Sequence, residues 1–311
     1  MKEEVYDLDM TPVFTQMGIL VFIMAVGFAC AKLGVAGPEF TRSGSKIVLN
    51  VLLVFTILNS VTSAEMELSL ADIGIYTLGF FVMIIVCSLL GVLAARALRV
   101  PADDRGIAAF AVAFTNTVFV GFPVVESVYG AEGVLVATIS NIPFNLFIYT
   151  LGVALINGST KGMNIKSAIS PPLIATFVAI AFFLTGWVLP APVVECFSVL
   201  SAGTVPVSML VVGASLGAVP LKSTLGNWRV YAVGLVRLIL GPLAVWAALR
   251  PFVHDEMALG VTVILAACPT AMLATALTIR SGKDETFASQ NVFVSTVLSA
   301  ATLPLMIYLL V

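Results

Sequence analysis

Asn116 and Thr117 place an amide and a hydroxyl just ahead of Gly121-Phe122-Pro123, in the middle of a segment otherwise apolar enough for a lipid bilayer. Proline at 123 has no N–H to donate and clashes with the carbonyl four residues back, and Gly121 gives the chain latitude to unwind beside it. Hydrocarbon tolerates freed backbone groups only where protein or a water-filled cavity satisfies them. An interrupted helix at this depth therefore points to a solute site, because the N-terminus of a half-helix offers N–H groups and the positive end of its dipole to an anion. Asn116 and Thr117 are placed either to bind that solute or to cap the loose backbone. The competing reading is a proline kink that only packs. A second interruption, Cys268-Pro269-Thr270, falls at the equivalent place in the other half of the chain and favours a paired site.

Other polar residues inside apolar runs extend the candidate set. Asn141 and Asn145 lie one helical turn apart with Pro143 between them, and either line a site or join helices through hydrogen bonds of about 1 kcal/mol each. Asn291 reads as the second kind. Arg237 is the one basic residue well inside an apolar run, an expensive position that demands a cavity or a partner. It either draws an anion electrostatically or satisfies the C-terminal carbonyls of the interrupted helices. Glu126 reads as surface, and Asn50, Asn59, Thr204 and Ser208 as packing residues that could also face a solute. The candidate substrate-binding set is therefore Asn116, Thr117, Gly121, Pro123, Asn141, Asn145, Arg237, Cys268, Pro269 and Thr270.

The chemistry that is missing narrows the class. No Asp or Glu stands near the centre of an apolar run, which disfavours coupling through carboxylate protonation, although sodium could still be held by carbonyl, Asn and Thr oxygens. Intramembrane hydrolysis would require a Ser with Lys or His, or paired Asp residues, so an enzyme is not expected. Cys30, Cys87, Cys196 and Cys268 have no paired spacing and His254 stands alone, so neither a metal site nor a cofactor is expected.

The elements that must position these residues are membrane helices. The 311-residue chain is 60% hydrophobic and 10% charged, with a mean hydropathy of +1.10. Soluble domains carry about 25% charged residues. This composition defines an all-α integral membrane protein of the plasma or inner membrane, and a net charge of −2 offers nothing to a nucleic acid. Ten spans are expected, at 12–35, 41–63, 72–98, 105–130, 132–156, 170–190, 193–218, 228–250, 256–281 and 286–310. The odd-numbered loops hold Lys32, Arg42, Lys46, Arg96, Arg99, Arg105, Lys161, Lys166, Lys222, Arg229, Arg280 and Lys283, twelve of the fifteen basic residues. Basic loops stay in the cytoplasm, so both termini are expected outside. The first ten residues hold Glu3, Glu4, Asp7 and Asp9 against Lys2, without the basic start of a cleavable signal peptide.

The stretch 157–169 is the one that resembles a linker, and it divides the chain into a first unit, 1–156, and a second, 170–311, of five spans each and opposite orientation. Weak internal repetition joins them. Ile75-Tyr76-Thr77-Leu78-Gly79 answers Val230-Tyr231-Ala232-Val233-Gly234, and Tyr129-Gly130 answers Ser281-Gly282. Aligning those last glycines sets Asn116-Thr117 against Cys268-Pro269.

With these motifs the chain resembles a bacterial member of the auxin efflux carrier family, the group of PIN-type and malonate-transporter-like proteins. The likeness is carried by Asn116-Thr117 with Gly121-Phe122-Pro123, by Val205-Pro206 with Val212-Gly213-Ala214-Ser215-Leu216-Gly217, and by Pro269. It implies ten helices as two inverted five-helix repeats, with the fourth and ninth unwound and crossing at mid-membrane. Helices one, two, six and seven would form a scaffold against which the other six move as a transport domain. One departure stands out: the proline expected midway along the second span is replaced by Val54 and its neighbours.

The expected function is secondary transport of a small organic anion, a carboxylate, by an elevator-like shift. A sodium-coupled symporter of the bile-acid type and a non-transporting membrane receptor are the rival readings. Na+ or H+ coupling and a homodimer in the lipid bilayer are left open.

Overall fold

The computed structural model describes residues 11–63, 70–160, 163, 169–185, 189–219, 224 and 226–311, and apart from one isolated β-bridge every regular element among them is a helix. Lys2, Lys161, Lys166 and Lys222, and most of the linker 157–169, lie outside these residues. Among the described residues seven helical runs are long and apolar enough to cross a membrane: Phe14–Lys32, Pro38–Thr62, Asp72–Ala97, Thr117–Asn157, Ala191–Gly217, Trp228–Leu249 and Thr286–Leu310. Pro171–Phe182 and Glu256–Ala267 are apolar but shorter. The protein is thus an all-helical integral membrane protein.

In chain order the helices are α1 (Thr11–Lys32), α2 (Pro38–Ile47), α3 (Leu53–Ser63), α4 (Leu70–Ala97), α5 (Arg105–Ala113), α6 (Phe122–Ser140), α7 (Ile142–Phe147), α8 (Val153–Asn157), α9 (Pro171–Thr185), α10 (Ala191–Ala202), α11 (Thr204–Gly217), α12 (Trp228–Leu235), α13 (Gly241–Leu249), α14 (Glu256–Ala267), α15 (Leu273–Arg280) and α16 (Thr286–Leu310). Many boundaries are written in proline. Pro38, Pro143 and Pro192 each sit in the first turn of a helix, where a missing N–H leaves no bond unmade, and Pro123 and Pro242 each follow a π segment.

Between α2 and α3 the helix does not stop but widens into a π segment, Val48–Leu52. A one-turn π segment lets a helix bend without proline, which is how this chain manages where the resemblance called for a proline in the second span. The run Thr117–Asn157 is not one rod either. Gly130, at φ 63° and ψ −153°, turns the chain between two helical stretches, and Gly282, at φ 71°, does the same between α15 and α16. Both are left-handed conformations that favour glycine, and they are the two glycines that anchor the internal alignment.

Helices α1 and α11 approach until their backbones touch. A Cβ at Gly213 would lie 1.9 Å from the Met24 carbonyl oxygen, and one at Gly27 would lie 2.3 Å from that of Leu210. Small residues permit this closeness, which is the main source of helix association where lipid is as apolar as the side chains. Phe80, Phe110, Phe114 and Phe144 form a buried aromatic cluster, with Phe114 edge-on to Phe144 at 5.8 Å between ring centres. That cluster seats the residue at which α5 gives way.

Candidate functional site

Helix α5 ends at Ala113, and Phe114 is extended, at φ −109° and ψ 124°. Helix α14 ends at Ala267, and Cys268 is extended, at φ −65° and ψ 153°. The second break follows from sequence, because a residue ahead of proline is pushed out of the helical region by the proline ring. The two extended segments cross antiparallel, with Thr115 opposite Thr270. The Asn116 amide donates to the Pro269 carbonyl at 2.7 Å and the Ala271 amide to the Phe114 carbonyl at 2.9 Å. In this register Asn116 faces Pro269 and Thr117 faces Cys268, the same four residues that the alignment of Asn116-Thr117 with Cys268-Pro269 sets together.

The first break lies earlier than the sequence suggested. It occupies Phe114 to Asn116, and the chain is helical again from Thr117, as a π segment Thr117–Gly121 that runs into α6. Pro123 sits in the first turn of α6, directly after this wide turn, in which the Gly121 amide reaches back to Asn116 O at 3.0 Å and the Phe122 amide to Thr117 O. Gly121 is not unwound, at φ −64°. It is glycine for closeness: a Cβ there would meet Leu265 Cδ2 at 2.7 Å and Cys268 Sγ at 3.3 Å.

Asn116 caps the new helix, its side-chain oxygen accepting from the Phe119 amide at 3.2 Å. Its carboxamide nitrogen has no hydrogen-bond partner, although the residue is only 4% exposed. The Thr115 hydroxyl is likewise buried and unpartnered. Thr117 donates to Asn141 Oδ1 at 3.2 Å, and Asn145 Nδ2 donates to the Asn141 carbonyl at 3.3 Å.

These residues line a cavity of about 400 Å3. Of the ten sequence candidates, Asn116, Thr117, Asn141 and Asn145 are on its wall. Gly121, Pro123, Arg237, Cys268, Pro269 and Thr270 are not. Thr270 donates its hydroxyl to the Ala111 carbonyl at 3.0 Å and its amide to Ser295 Oγ at 3.1 Å. Arg237, on a π segment Val236–Leu240, is fully buried and donates to the carbonyls of Cys268 at 3.1 Å, Val112 at 2.5 Å and Ala266. Of the two roles open to it from sequence, this is the capping of broken-helix carbonyls.

The wall also holds residues that sequence reasoning passed over. Phe119, Phe122, Phe144 and Met272 supply apolar surface, and Thr138, Tyr149, Ser170 and Thr176 supply hydroxyls. Asn50, read as packing, lines the cavity with its Nδ2 held by the Lys46 carbonyl at 2.9 Å. Asn59, Thr204 and Ser208 do not line it; Thr204 instead pairs with Thr56 at 2.7 Å. Asn291 donates to the Phe287 carbonyl one turn back, and Glu126 is exposed. Nothing in residue type marks Ser170 or Thr176, whose places follow only from how α9 packs on α3. Among the described residues no three His, Cys, Asp or Glu side chains converge as metal ligands.

A bundle of apolar helices around a cavity with a few amide and hydroxyl groups on its wall, beside which two helices are broken, is an architecture that membrane transporters use. The chain belongs to the membrane transport protein family, whose sequence pattern it matches over residues 12–307, and this is the auxin efflux carrier group its motifs resemble. It is 28% identical over 302 residues to an uncharacterized transporter of Methanothermobacter thermautotrophicus, spanning 94% of this chain and 96% of that one. It is 22% identical to the uncharacterized transporter MJ1031 of Methanocaldococcus jannaschii, over 92% of this chain and 95% of the relative. Identity to the uncharacterized transporter YfdV of Escherichia coli K12 is 24%, over 93% and 95%.

Proposed function

We propose that this protein is a secondary transporter of a small organic anion, a carboxylate, bound at the crossing of the two broken helices. One observation carries the reading: the Asn116 carboxamide nitrogen is buried, unpartnered and on the cavity wall. A buried donor without an acceptor costs about 1–3 kcal/mol, and an entering carboxylate oxygen removes that cost. The amides of Thr117 and Val118, and of Met272 and Leu273, stand in first turns where no intrahelical acceptor exists, and all four residues line the cavity. The solute meets N–H groups at the floor and apolar side chains above.

Ten helices in two inverted repeats suit this site, the breaks falling in the fourth and ninth. The matching left-handed glycines, Gly130 and Gly282, support that reading. The cavity wall comes from two groups of helices. Ser45, Leu49, Asn50, Leu53 and Ile57, with Pro172 and Thr176, belong to the proposed scaffold, and the crossing with Asn141 and Asn145 to the proposed transport domain. A cavity between such groups is what an elevator-like shift would open and close. Its wall extends to Ser45 and Ser170, beside the basic loops, so it faces the cytoplasm when those loops do.

The test is uptake and efflux in proteoliposomes against mono- and dicarboxylates, with and without sodium and pH gradients, comparing the parent with Asn116→Ala. Binding of the transported anion should weaken by about 1–3 kcal/mol, roughly ten- to hundredfold in Kd. An Asn116→Ala protein that binds and transports like the parent would place the site elsewhere.

A further inference from the structure

We infer that Arg237 sets the charge of the solute this site takes, and that the charge is a single negative one. The inference rests on the crossing being an anion site and asks what valence its electrostatics can match.

Four half-helix ends meet at the crossing. Helices α5 and α14 run into it, and their C-terminal ends each carry about −0.5 of an elementary charge. The Arg237 guanidinium lies across both ends, donating to Val112 O of α5 and to Ala266 O and Cys268 O at the end of α14. One full positive charge therefore offsets about one negative charge, and neither side of that pair reaches the cavity wall. Two other helices leave the crossing, at Thr117 and at Leu273, and their N-terminal ends each carry about +0.5. Thr117, Val118, Met272 and Leu273 are all on the cavity wall, as is Asn116 with its unpartnered carboxamide nitrogen.

Among the described residues the cavity is lined by no Asp, Glu, Lys or Arg. The field inside it is then that of the two N-terminal ends, about +1 in all. One carboxylate balances it. A second carboxylate would lose its water without gaining a counter-charge, which is unfavourable in a poorly hydrated site. A neutral solute leaves both helix ends unanswered. Without the guanidinium the four ends sum to about zero, and the preference for an anion should go with it. Arg237 thus acts through the helix ends as a positioning residue and does not touch the solute.

The experiment uses benzoate, its neutral relative benzamide and the dianion phthalate, with purified full-length protein at a pH where phthalate carries both charges. In the parent, benzoate should bind about tenfold or more tightly than either of the others, a difference of about 1.4 kcal/mol. Arg237→Gln should cut the preference for benzoate over benzamide to less than about threefold, and Arg237→Lys should restore it. A purely structural role would weaken all three probes alike and leave their ratios unchanged, which would overturn the proposal. Should Arg237→Gln not fold, the parent decides: phthalate or benzamide binding as well as benzoate, or no binding of benzoate, overturns it. Asn116→Ala separates the two readings. Loss of benzoate binding in that variant together with equal affinity for phthalate in the parent defeats the valence assignment and leaves the site standing. Benzoate binding unaffected by Asn116→Ala defeats the site itself.

Discussion

The two breaks do the same thing to a helix and are built from opposite materials. At Phe114 to Asn116 no proline stands in the extended segment, and the break is held open by Asn116 capping the next helical turn and by Phe114 seated among aromatic rings. At Cys268 to Met272 proline does the breaking, and the polar groups are consumed internally, Thr270 by Ala111 and Ser295. The first break leaves Thr115 Oγ1 and Asn116 Nδ2 without partners, whereas Thr270 at the second has both its polar groups bonded. One break therefore offers side-chain donors to a ligand, and the other offers backbone alone. Their tolerance to substitution should differ accordingly, and Arg237 bonds to carbonyls at both.

Arg237→Met should have the largest effect, since it strips donors from three buried carbonyls at once. At about 1–3 kcal/mol for each orphaned group, the loss is about 3 kcal/mol or more. Thermal unfolding in detergent should show a large fall in Tm, and an unchanged Tm would mean the two helix ends are held by something else. Pro269→Ala separates the breaks next. It lets α14 close its hydrogen-bond ladder towards α15, so the protein should gain heat stability while transport falls. Transport intact with raised stability would show that the second break contributes no donors to the solute.

How much of this was legible in sequence differs between the two breaks for the same reason. Proline at 269 declares its break in place, because its ring dictates the conformation of Cys268. Pro123 misplaces the first one, since it sits a turn and a half inside the next helical stretch, and nothing in Phe114-Thr115-Asn116 taken alone forbids a helix. Composition and loop charge made the membrane class and most helix ends readable. The cavity's far wall was not readable: Ser170 and Thr176 are ordinary residues whose exposure to the crossing depends on long-range packing of α9, which no local periodicity encodes. Arg237 was found as an anomaly with the carbonyls of the broken helices as one of its two possible roles, and only the fold shows that those of Val112, Ala266 and Cys268 are its partners.

Gly121→Ala tests whether the first break tolerates crowding from the second. The added Cβ would lie 2.7 Å from Leu265 Cδ2 and 3.3 Å from Cys268 Sγ, so one of the two must give. Overpacking of this kind costs about 1–3 kcal/mol, and here it should also push the crossing apart and weaken solute binding. Binding and Tm measured on one preparation check this; a lowered Tm with binding intact would mean that the leucine methyl moves and the crossing does not.

The smallest effects should come from the far ends of the helices that enter the breaks, where the two halves again differ. Both α5 and α14 begin after an aspartate. Asp255 caps α14, its carboxylate accepting from the Met257 and Ala258 amides at 2.9 and 3.1 Å, whereas Asp104 makes no such bond to α5. Asp255→Ala should therefore cost about 0.5–2 kcal/mol, the usual worth of a lost cap. Asp104 is the reverse case. Burial raises its pKa, and the neighbouring Asp103 and Asp284 raise it further against the opposing pull of Lys283. A carboxyl that binds its proton more tightly in the folded protein costs stability as pH rises through the carboxylate range, and costs nothing in acid, where both states are protonated. Asp104→Asn removes that cost, so it should raise Tm slightly at neutral pH and leave it unchanged in acid. Tm measured across that range decides the matter: a variant that is less stable than the parent at neutral pH would make Asp104 a working cap after all, and the two entrances alike.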